Sequence, residues 1–132
     1  MIFGVGIDLQ ELKQFQKVVD RREEAFLEKV FTERELKYSR QKNFIQSLAG
    51  RWAVKEAFLK AMGTGIQNVR SLKEIEIINL HNGKPYINLT GELKSKCNLL
   101  NIKVDASISH SKDYATGMVV LSVDKSSPCY KS

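Results

Sequence analysis

The segment from Asn43 to Met62 constrains the fold more than any other part of the chain, because it carries the longest helical pattern and has apolar residues on nearly every side. At about 100° per residue, Glu56 and Lys60 share one narrow stripe of this helix, and Arg51 and Lys55 share a second. A helix without one continuous polar face must be enclosed by other secondary-structure elements. We therefore predict a largely packed helix that carries two charged stripes.

The remaining patterns predict a helical first half and a second half made mostly of strands. The predicted elements are a strand over Ile2 to Ile7, a helix from Leu9 to about Arg21 that continues or restarts from Glu23 to Val30, a short helix from the capping box Thr32-Glu33-Arg34-Glu35 through Tyr38, a hairpin of Ile75 to Ile77 and Pro85 to Leu89 joined at Asn82-Gly83, a helix over Gly91 to Leu100, and a closing antiparallel pair of Val104 to Ser109 and Tyr114 to Val123. We predict one α+β domain over residues 1–124, with the helices packed on a mainly antiparallel sheet, and a disordered tail over residues 125–132.

The charge of the chain points to an acidic partner. A formal net charge of +6 and a pI near 9.4 suit nucleic acid, an anionic membrane, a polyphosphate or an acidic protein. The apolar run at the N-terminus, Met1 to Asp8, has no basic leader and is too short for a signal peptide or a membrane span, so we expect a cytoplasmic protein. Cys97 and Cys129 stand alone, without a CxxC pair, and are predicted to be structural thiols.

Glu56 and Lys60 admit two interpretations. Four residues apart on a helix, they would form a surface ion pair worth about 0.2–0.5 kcal/mol. Their apolar neighbours make an unpartnered charge costly there, and a divalent metal with an anionic substrate would satisfy both side chains. The residues alone leave both interpretations open.

Asp8 is equally ambiguous. As the residue before Leu9-Gln10-Glu11, it fits an N-cap followed by an acid three residues on. As a carboxylate at the end of a strand, it would join Glu56 in holding magnesium, which commonly takes one or two carboxylates together with waters and substrate phosphates. Gly63-Thr64-Gly65 stops the long helix, and its glycines would also let a phosphate approach the backbone.

Three separated segments form a pattern that is found together in one family. They are Gly4-Val5-Gly6-Ile7-Asp8, Arg51-Trp52-Ala53-Val54-Lys55-Glu56-Ala57-Phe58-Leu59-Lys60-Ala61 and Ile108-Ser109-His110-Ser111. Gly63-Thr64-Gly65 and Asn82-Gly83-Lys84-Pro85 stand between them in the same order. In order, spacing and total length, the chain resembles the holo-[acyl-carrier-protein] synthases among the 4′-phosphopantetheinyl transferases, and the resemblance implies their fold.

The resemblance also implies roles for individual residues. The magnesium ligands fall on Asp8 and Glu56, and these two with the active-site lysine, Lys60, make up the implied catalytic set. The positions implied to lie near coenzyme A, together with Lys60, are Arg51, Gly63, Thr64, Gly65, Gly83, Pro85 and His110. Short members of the family are typically homotrimers with sites at subunit interfaces, and the same is expected here.

The implied reaction is attack by a serine hydroxyl of an acyl carrier protein on the β-phosphorus of coenzyme A. It releases 3′,5′-ADP and supports fatty acid biosynthesis. Magnesium would bridge the diphosphate, and Lys60 would steady the phosphates as a cation. Asp8, Glu56 and a metal-bound water all stay open as the base for the serine.

A basic stripe on the first predicted helix suits an acidic carrier protein. Lys13, Lys17 and Arg21 follow one another at four-residue steps, and they form either a solvated face or a docking surface for the carrier. The family often has an arginine, associated with docking, where this chain has Gln14. That departure leaves the strength and selectivity of the docking surface open.

A basic nucleic-acid-binding module is the rival interpretation, and the pI favours it slightly. The chain lacks aromatic-studded RNA signatures, zinc-finger spacing and basic coiled-coil segments, so we expect no nucleic acid as a partner, while a helix-turn-helix stays open. We also expect no membrane as a partner. A catalytically idle relative is disfavoured, because Asp8, Glu56 and Lys60 are all present.

Overall fold

Strands from the two ends of the chain pair with each other, and the long helix between them packs on the sheet. The computed structural model describes residues 1–65 and 69–124. Its elements are β1 (Ile2–Glu11), α1 (Leu12–Val30), α2 (Glu33–Arg40), α3 (Phe44–Met62), β2 (Ile75–Asn79), β3 (Pro85–Leu89), α4 (Gly91–Leu99), β4 (Ile102–His110) and β5 (Tyr114–Val123).

The strand pairs within residues 1–65 and 69–124 are antiparallel, in keeping with the predicted mainly antiparallel sheet. One sheet has the order β1-β5-β4, and the other is the hairpin of β2 and β3. The predicted hairpin turn is confirmed, with Gly83 at a φ of 85°. The α+β fold with helices on an antiparallel sheet is therefore confirmed, although β4 starts earlier than predicted, at Ile102, and continues to His110.

Glycines let α3 lie directly on the β1–β5 sheet. A Cβ at Gly6 of β1 would overlap the carbonyl oxygen of Ala57 in α3, and one at Gly117 of β5 would overlap the backbone around Val54. Two backbones approach this closely only where the residue between them has no side chain. Because side chains two apart on a strand share a face, Asp8 points toward the same helix as Gly6.

A buried ion pair joins α2 and α3 on another side of the long helix. The side chains of Lys55 and Glu35 are fully buried, and Nζ of Lys55 lies 2.8 Å from Oε1 of Glu35. Lys55 also donates to the carbonyl oxygens of Val30 and Leu72, and Glu35 accepts from the backbone N–H of Ile77. Burial lowers the pKa of Lys55, and the Glu35 carboxylate opposes that shift. With all three ammonium donors used, the pair offsets much of its desolvation cost.

Local capping signals set several helix ends. Thr32 and Glu35 exchange side-chain and backbone hydrogen bonds, so the predicted capping box is confirmed, although α2 continues past the predicted end to Arg40. Asn43 caps α3, because its Oδ1 accepts from the backbone N–H of Gln46, three residues later. Gly63 adopts a left-handed conformation, with φ of 75°, and ends α3 as predicted.

The prediction that Asp8 caps the first helix was wrong. β1 continues through Glu11 because it pairs with β5 as far as Tyr114, and α1 begins at Leu12 without a side-chain cap. Pairing along a whole strand outweighed the short N-cap pattern. The first helix does continue beyond Arg21, with a break at Glu23, whose φ of 49° lies outside helical values.

The face of β1 turned away from α3 is apolar and exposed. Val5, Ile7 and Leu9 alternate along it and are 53%, 62% and 62% exposed, and Met118 of β5 lies beside Ile7 in register. Exposed apolar patches of this kind are typical of protein contact surfaces. This face is therefore a candidate surface for contact with another chain.

Cys97 is buried with a free thiol, whose pKa is raised by burial, as suits a structural cysteine. Cys129 and the predicted disordered tail lie outside the described residues.

Across residues 1–65 and 69–124, no helix has both the length and the apolar character needed to cross a membrane.

Candidate active site

Asp8, Glu56 and Lys60 meet where β1 crosses α3. Nζ of Lys60 lies 3.1 Å from Oδ1 of Asp8 and donates to the carbonyl oxygen of Ile7, also at 3.1 Å. Glu56 lies one helical turn before Lys60 on the same face of α3. The structure thus brings together the three residues predicted as the catalytic set, and Lys60 pairs with Asp8 rather than with Glu56.

The Glu56 carboxylate lies in surroundings that disfavour its negative charge. Partial burial raises the pKa of Glu56, the charge of Asp8 raises it further, and Lys60 lowers it. Within the described ranges, no group donates a hydrogen bond to this carboxylate. A divalent cation beside both carboxylates would remove their repulsion, so this pair fits magnesium.

Two carboxylates are a sufficient set of protein ligands for magnesium. Magnesium commonly takes only one or two carboxylates and fills its other positions with water and substrate phosphates. Asp8 and Glu56 are therefore the residues that would hold it.

Two further residues hold Asp8 in place, and sequence reasoning missed both. Nε2 of Gln10 donates to Oδ2 of Asp8 at 2.6 Å, and Oγ1 of Thr116 donates to the Asp8 backbone carbonyl at 2.9 Å. The spacing of Gln10, two residues after Asp8 on a strand, was a signal available in the sequence. The helix predicted from Leu9 to about Arg21 includes Gln10, so the strand spacing of Asp8 and Gln10 is not apparent from the sequence pattern.

A second feature is a cavity of 280 Å³ on another side of α3. Its lining residues are Tyr38, Lys42, Asn43, Gln46, Ser47, Arg51, Asn79, Gly83, Pro85, Ile108 and His110. Four of the residues predicted to contact coenzyme A therefore surround one space. The volume is close to the lower end of the range of about 300–1,000 Å³ for small-molecule pockets, so it suits one end of a large substrate.

Arg51 is the buried charge of this cavity. It is only 3% exposed, donates to Oγ of Ser47 at 3.1 Å and to Oδ1 of Asn79, and stacks 4.6 Å from the ring centre of Tyr38. Its Nε has no hydrogen-bond partner among the described residues. Burial lowers the pKa of Arg51, and Glu35 is the main opposing charge. A buried cation with an unused donor suits an anionic ligand such as a phosphate.

The other walls of the cavity come from the hairpin and from β4. Nδ2 of Asn79 donates to the carbonyl oxygen of Gly83 at 3.2 Å, so Asn79 connects the hairpin turn to Arg51. His110 is the last residue of β4, one residue past the predicted end of that strand at Ser109, and a Cβ at Gly50 would lie 2.9 Å from its Nε2. The glycine at position 50 therefore leaves space for the imidazole against α3.

The predicted site residues form two groups rather than one. Arg51 and Lys60 are nine residues apart on α3, which turns their side chains about half a circle apart and separates them by about 13 Å along the axis. Gly63, Thr64 and Gly65 follow α3 at the Lys60 end. In the described part of the chain, none of these residues except Arg51 lines the cavity. One chain alone does not bring all the predicted residues into one site.

The predicted docking residues Lys13, Lys17 and Arg21 are exposed on α1. Lys13 and Lys17 border an open groove of 410 Å³, whose floor includes Leu12 and Ile45. The structure therefore places basic side chains beside a small apolar surface.

In sequence and in structure, the chain is similar to one group of proteins. A profile of the 4′-phosphopantetheinyl transferase superfamily matches residues 4–119. The holo-[acyl-carrier-protein] synthase of Clostridium tetani is 40% identical over 123 residues, which cover 92% of this chain and 96% of that protein. The crystal structure of the holo-[acyl-carrier-protein] synthase from Neisseria meningitidis superposes with a TM-score of 0.85 at 33% identity, over 92% of this chain and 99% of that one. The holo-(acyl-carrier-protein) synthase from Bacillus anthracis, in complex with CoA (3′,5′-ADP), gives a TM-score of 0.77 at 38% identity, over 94% and 99%.

Proposed function

This chain belongs to the holo-[acyl-carrier-protein] synthases of the 4′-phosphopantetheinyl transferase superfamily, and we propose that it transfers phosphopantetheine from coenzyme A to a serine of an acyl carrier protein, with magnesium. The observation that carries this proposal is the meeting of Asp8, Glu56 and Lys60 at the crossing of β1 and α3. The proposal includes a cytoplasmic reaction that serves fatty acid biosynthesis. The complex of the Bacillus anthracis relative with CoA supports the choice of substrate.

The reaction breaks one bond to phosphorus and forms another. The serine oxygen of the carrier bonds to the β-phosphorus of coenzyme A, the bond from that phosphorus to the bridging oxygen breaks, and 3′,5′-ADP leaves. Magnesium, held by Asp8 and Glu56, would neutralise charge on the diphosphate. Lys60 contributes a half-exposed ammonium group 3.1 Å from Oδ1 of Asp8, and this cation would steady the same phosphates. The carrier supplies the nucleophile, and Asp8 and Glu56 are the carboxylates available for its proton.

The rest of coenzyme A is proposed to bind in the cavity around Arg51. The unpartnered Nε of Arg51 and the neighbouring Lys42 offer donors to its phosphates. This cavity and the carboxylate pair lie on opposite sides of α3, so one coenzyme A molecule is expected to bridge two subunits. At the Lys60 end, the backbone N–H groups of Gly63 and Thr64 already donate to the carbonyl oxygens of Lys60 and Leu59. A phosphate is therefore proposed to meet the Thr64 hydroxyl and the backbone of Gly65 there.

We propose a homotrimer with sites between subunits, as the family resemblance implies, and the division of the site residues into two groups supports shared sites. The exposed apolar face of β1, formed by Val5, Ile7 and Leu9, supplies a surface on which identical chains would pack. Light scattering tests the particle mass in solution. A particle of one chain at working concentration would contradict a site shared between subunits.

The activity is tested by intact-protein mass spectrometry of an apo acyl carrier protein incubated with this protein, coenzyme A and Mg²⁺. We expect the carrier to gain one phosphopantetheine, and we expect EDTA to prevent the gain. A carrier of unchanged mass, when a known transferase modifies it in parallel, would contradict the proposal.

Charge reversal on α1 is expected to weaken carrier binding selectively. In a Lys13→Glu, Lys17→Glu variant, the acidic carrier meets like charges at the groove, so its KM should rise by at least about tenfold. The KM for coenzyme A should stay unchanged. A Lys94→Glu, Lys96→Glu variant makes the same change in net charge on α4, where both lysines are exposed. Equal KM values for the carrier in the two variants would place the docking surface elsewhere.

A further inference from the structure

Both oxygens of the Asp8 carboxylate are engaged by side chains of the same chain. Oδ1 pairs with Nζ of Lys60 at 3.1 Å, and Oδ2 accepts from Nε2 of Gln10 at 2.6 Å. Gln10 must present its NH₂ group here, because its carbonyl oxygen would repel the carboxylate. The two bonds differ in kind, since one donor is a charged ammonium and the other a neutral amide.

The two donors also differ in how freely they can leave. The Lys60 side chain is 54% exposed and has a long flexible stem, whereas Gln10 lies two residues from Asp8 on the same face of β1. A divalent cation competes with the ammonium for the same negative charge, but a neutral donor to the other oxygen can stay in place. Oδ1 is therefore the exchangeable oxygen of Asp8, and Oδ2 is the fixed one.

Glu56 makes the fixed bond important. Asp8 and Glu56 carry like charges that act on each other, so an unrestrained Asp8 would turn away from Glu56 once Lys60 moves to a phosphate. We propose that Gln10 is a positioning residue that holds the Asp8 carboxylate in the orientation in which it and Glu56 share a divalent cation, an inference that rests on the proposed function. A carboxylate already oriented loses less freedom on binding the cation, which strengthens binding.

The test measures metal affinity rather than turnover. Mn²⁺ is titrated into the full chain with coenzyme A and without carrier protein, and free Mn²⁺ is followed by electron paramagnetic resonance. Gln10→Met keeps the length of the side chain and removes the donor, and Gln10→Ala removes both. We expect both variants to bind Mn²⁺ about ten- to a hundredfold more weakly than the wild type. Their affinity for coenzyme A without a divalent cation should be unchanged.

Asn88 provides a matched control. Its Nδ2 donates to Oε1 of Glu76 at 3.1 Å, which is another amide–carboxylate bond on a strand, and Asn88→Ala should leave Mn²⁺ affinity unchanged. Wild-type affinity in Gln10→Met would overturn the inference, and a loss confined to Gln10→Ala would overturn it in favour of a packing effect. Equal Mn²⁺ binding by the wild type and Asp8→Asn would overturn the metal assignment itself, a failure visible without any change at Gln10.

Discussion

Replacing Glu56 with glutamine is expected to lower kcat/KM for phosphopantetheine transfer by at least about a hundredfold. Glutamine has nearly the same size as glutamate but no negative charge, so the variant loses one of the two carboxylates proposed to hold magnesium. Losing a group that stabilises charge in the transition state commonly costs about 10²–10³ in rate. The measurement is the rate at which an apo carrier gains phosphopantetheine mass at saturating Mg²⁺.

The same variant separates a catalytic role from a structural one. Burial and the nearby Asp8 raise the pKa of Glu56, so its charge is unfavourable in the folded protein without metal. Without Mg²⁺, Glu56→Gln should therefore melt at the wild-type temperature or above it. Glu92→Gln, on an exposed acid of α4 that pairs only loosely with Arg70, is the control and should keep full activity. Wild-type activity in Glu56→Gln would refute the metal assignment.

Replacing Lys55 with methionine is expected to reduce the free energy of unfolding by about 3–5 kcal/mol. The change removes the cation that donates to Glu35 and leaves a fully buried carboxylate with Arg51 as its remaining nearby cation. It also frees the carbonyl oxygens of Val30 and Leu72, to which Lys55 donates. Urea unfolding followed by circular dichroism measures the loss.

The exposed pair of Arg70 and Glu92 offers a matched comparison. Its side chains are 72% and 73% exposed, so Arg70→Met should cost less than about 1 kcal/mol. Adding Glu35→Gln to Lys55→Met should recover part of the loss, because the buried charge is then gone. Equal stability of Lys55→Met and Arg70→Met would show that the buried pair contributes little.

The features that could be predicted from the sequence have local signals. The capping box at Thr32, the hairpin turn at Gly83 and the helix stop at Gly63 each depend on residues within one turn of chain. The motifs around Asp8 and Glu56 predicted that these residues lie together, and the structure shows them together with Lys60. Their proposed roles remain predictions.

The features that could not be predicted depend on distant partners. The sequence leaves Asp8 open between a helix N-cap and the end of a strand, because its pairing partner, Gly117 of β5, lies at the other end of the chain. Lys55 looked like a member of a charged stripe because Glu35, its counter-charge, lies on a different helix. The division of the site residues into two groups depends on how α3 is oriented in the fold. The sequence pattern of one helix gives the relative directions of the Arg51 and Lys60 side chains. It does not give which other elements of the fold pack against each side of that helix.

The contact of Gly6 with Ala57 has a consequence for how this protein tolerates sequence change. The spacing between β1 and α3 is set by main-chain atoms, which are the same whatever side chains surround them. Substitutions elsewhere in the core can therefore accumulate while the distance between the strand that carries Asp8 and the helix that carries Glu56 stays constant. A single added methyl group at Gly6 would alter that distance directly. The tolerance of the site to substitutions elsewhere thus depends on the lack of a Cβ atom at Gly6.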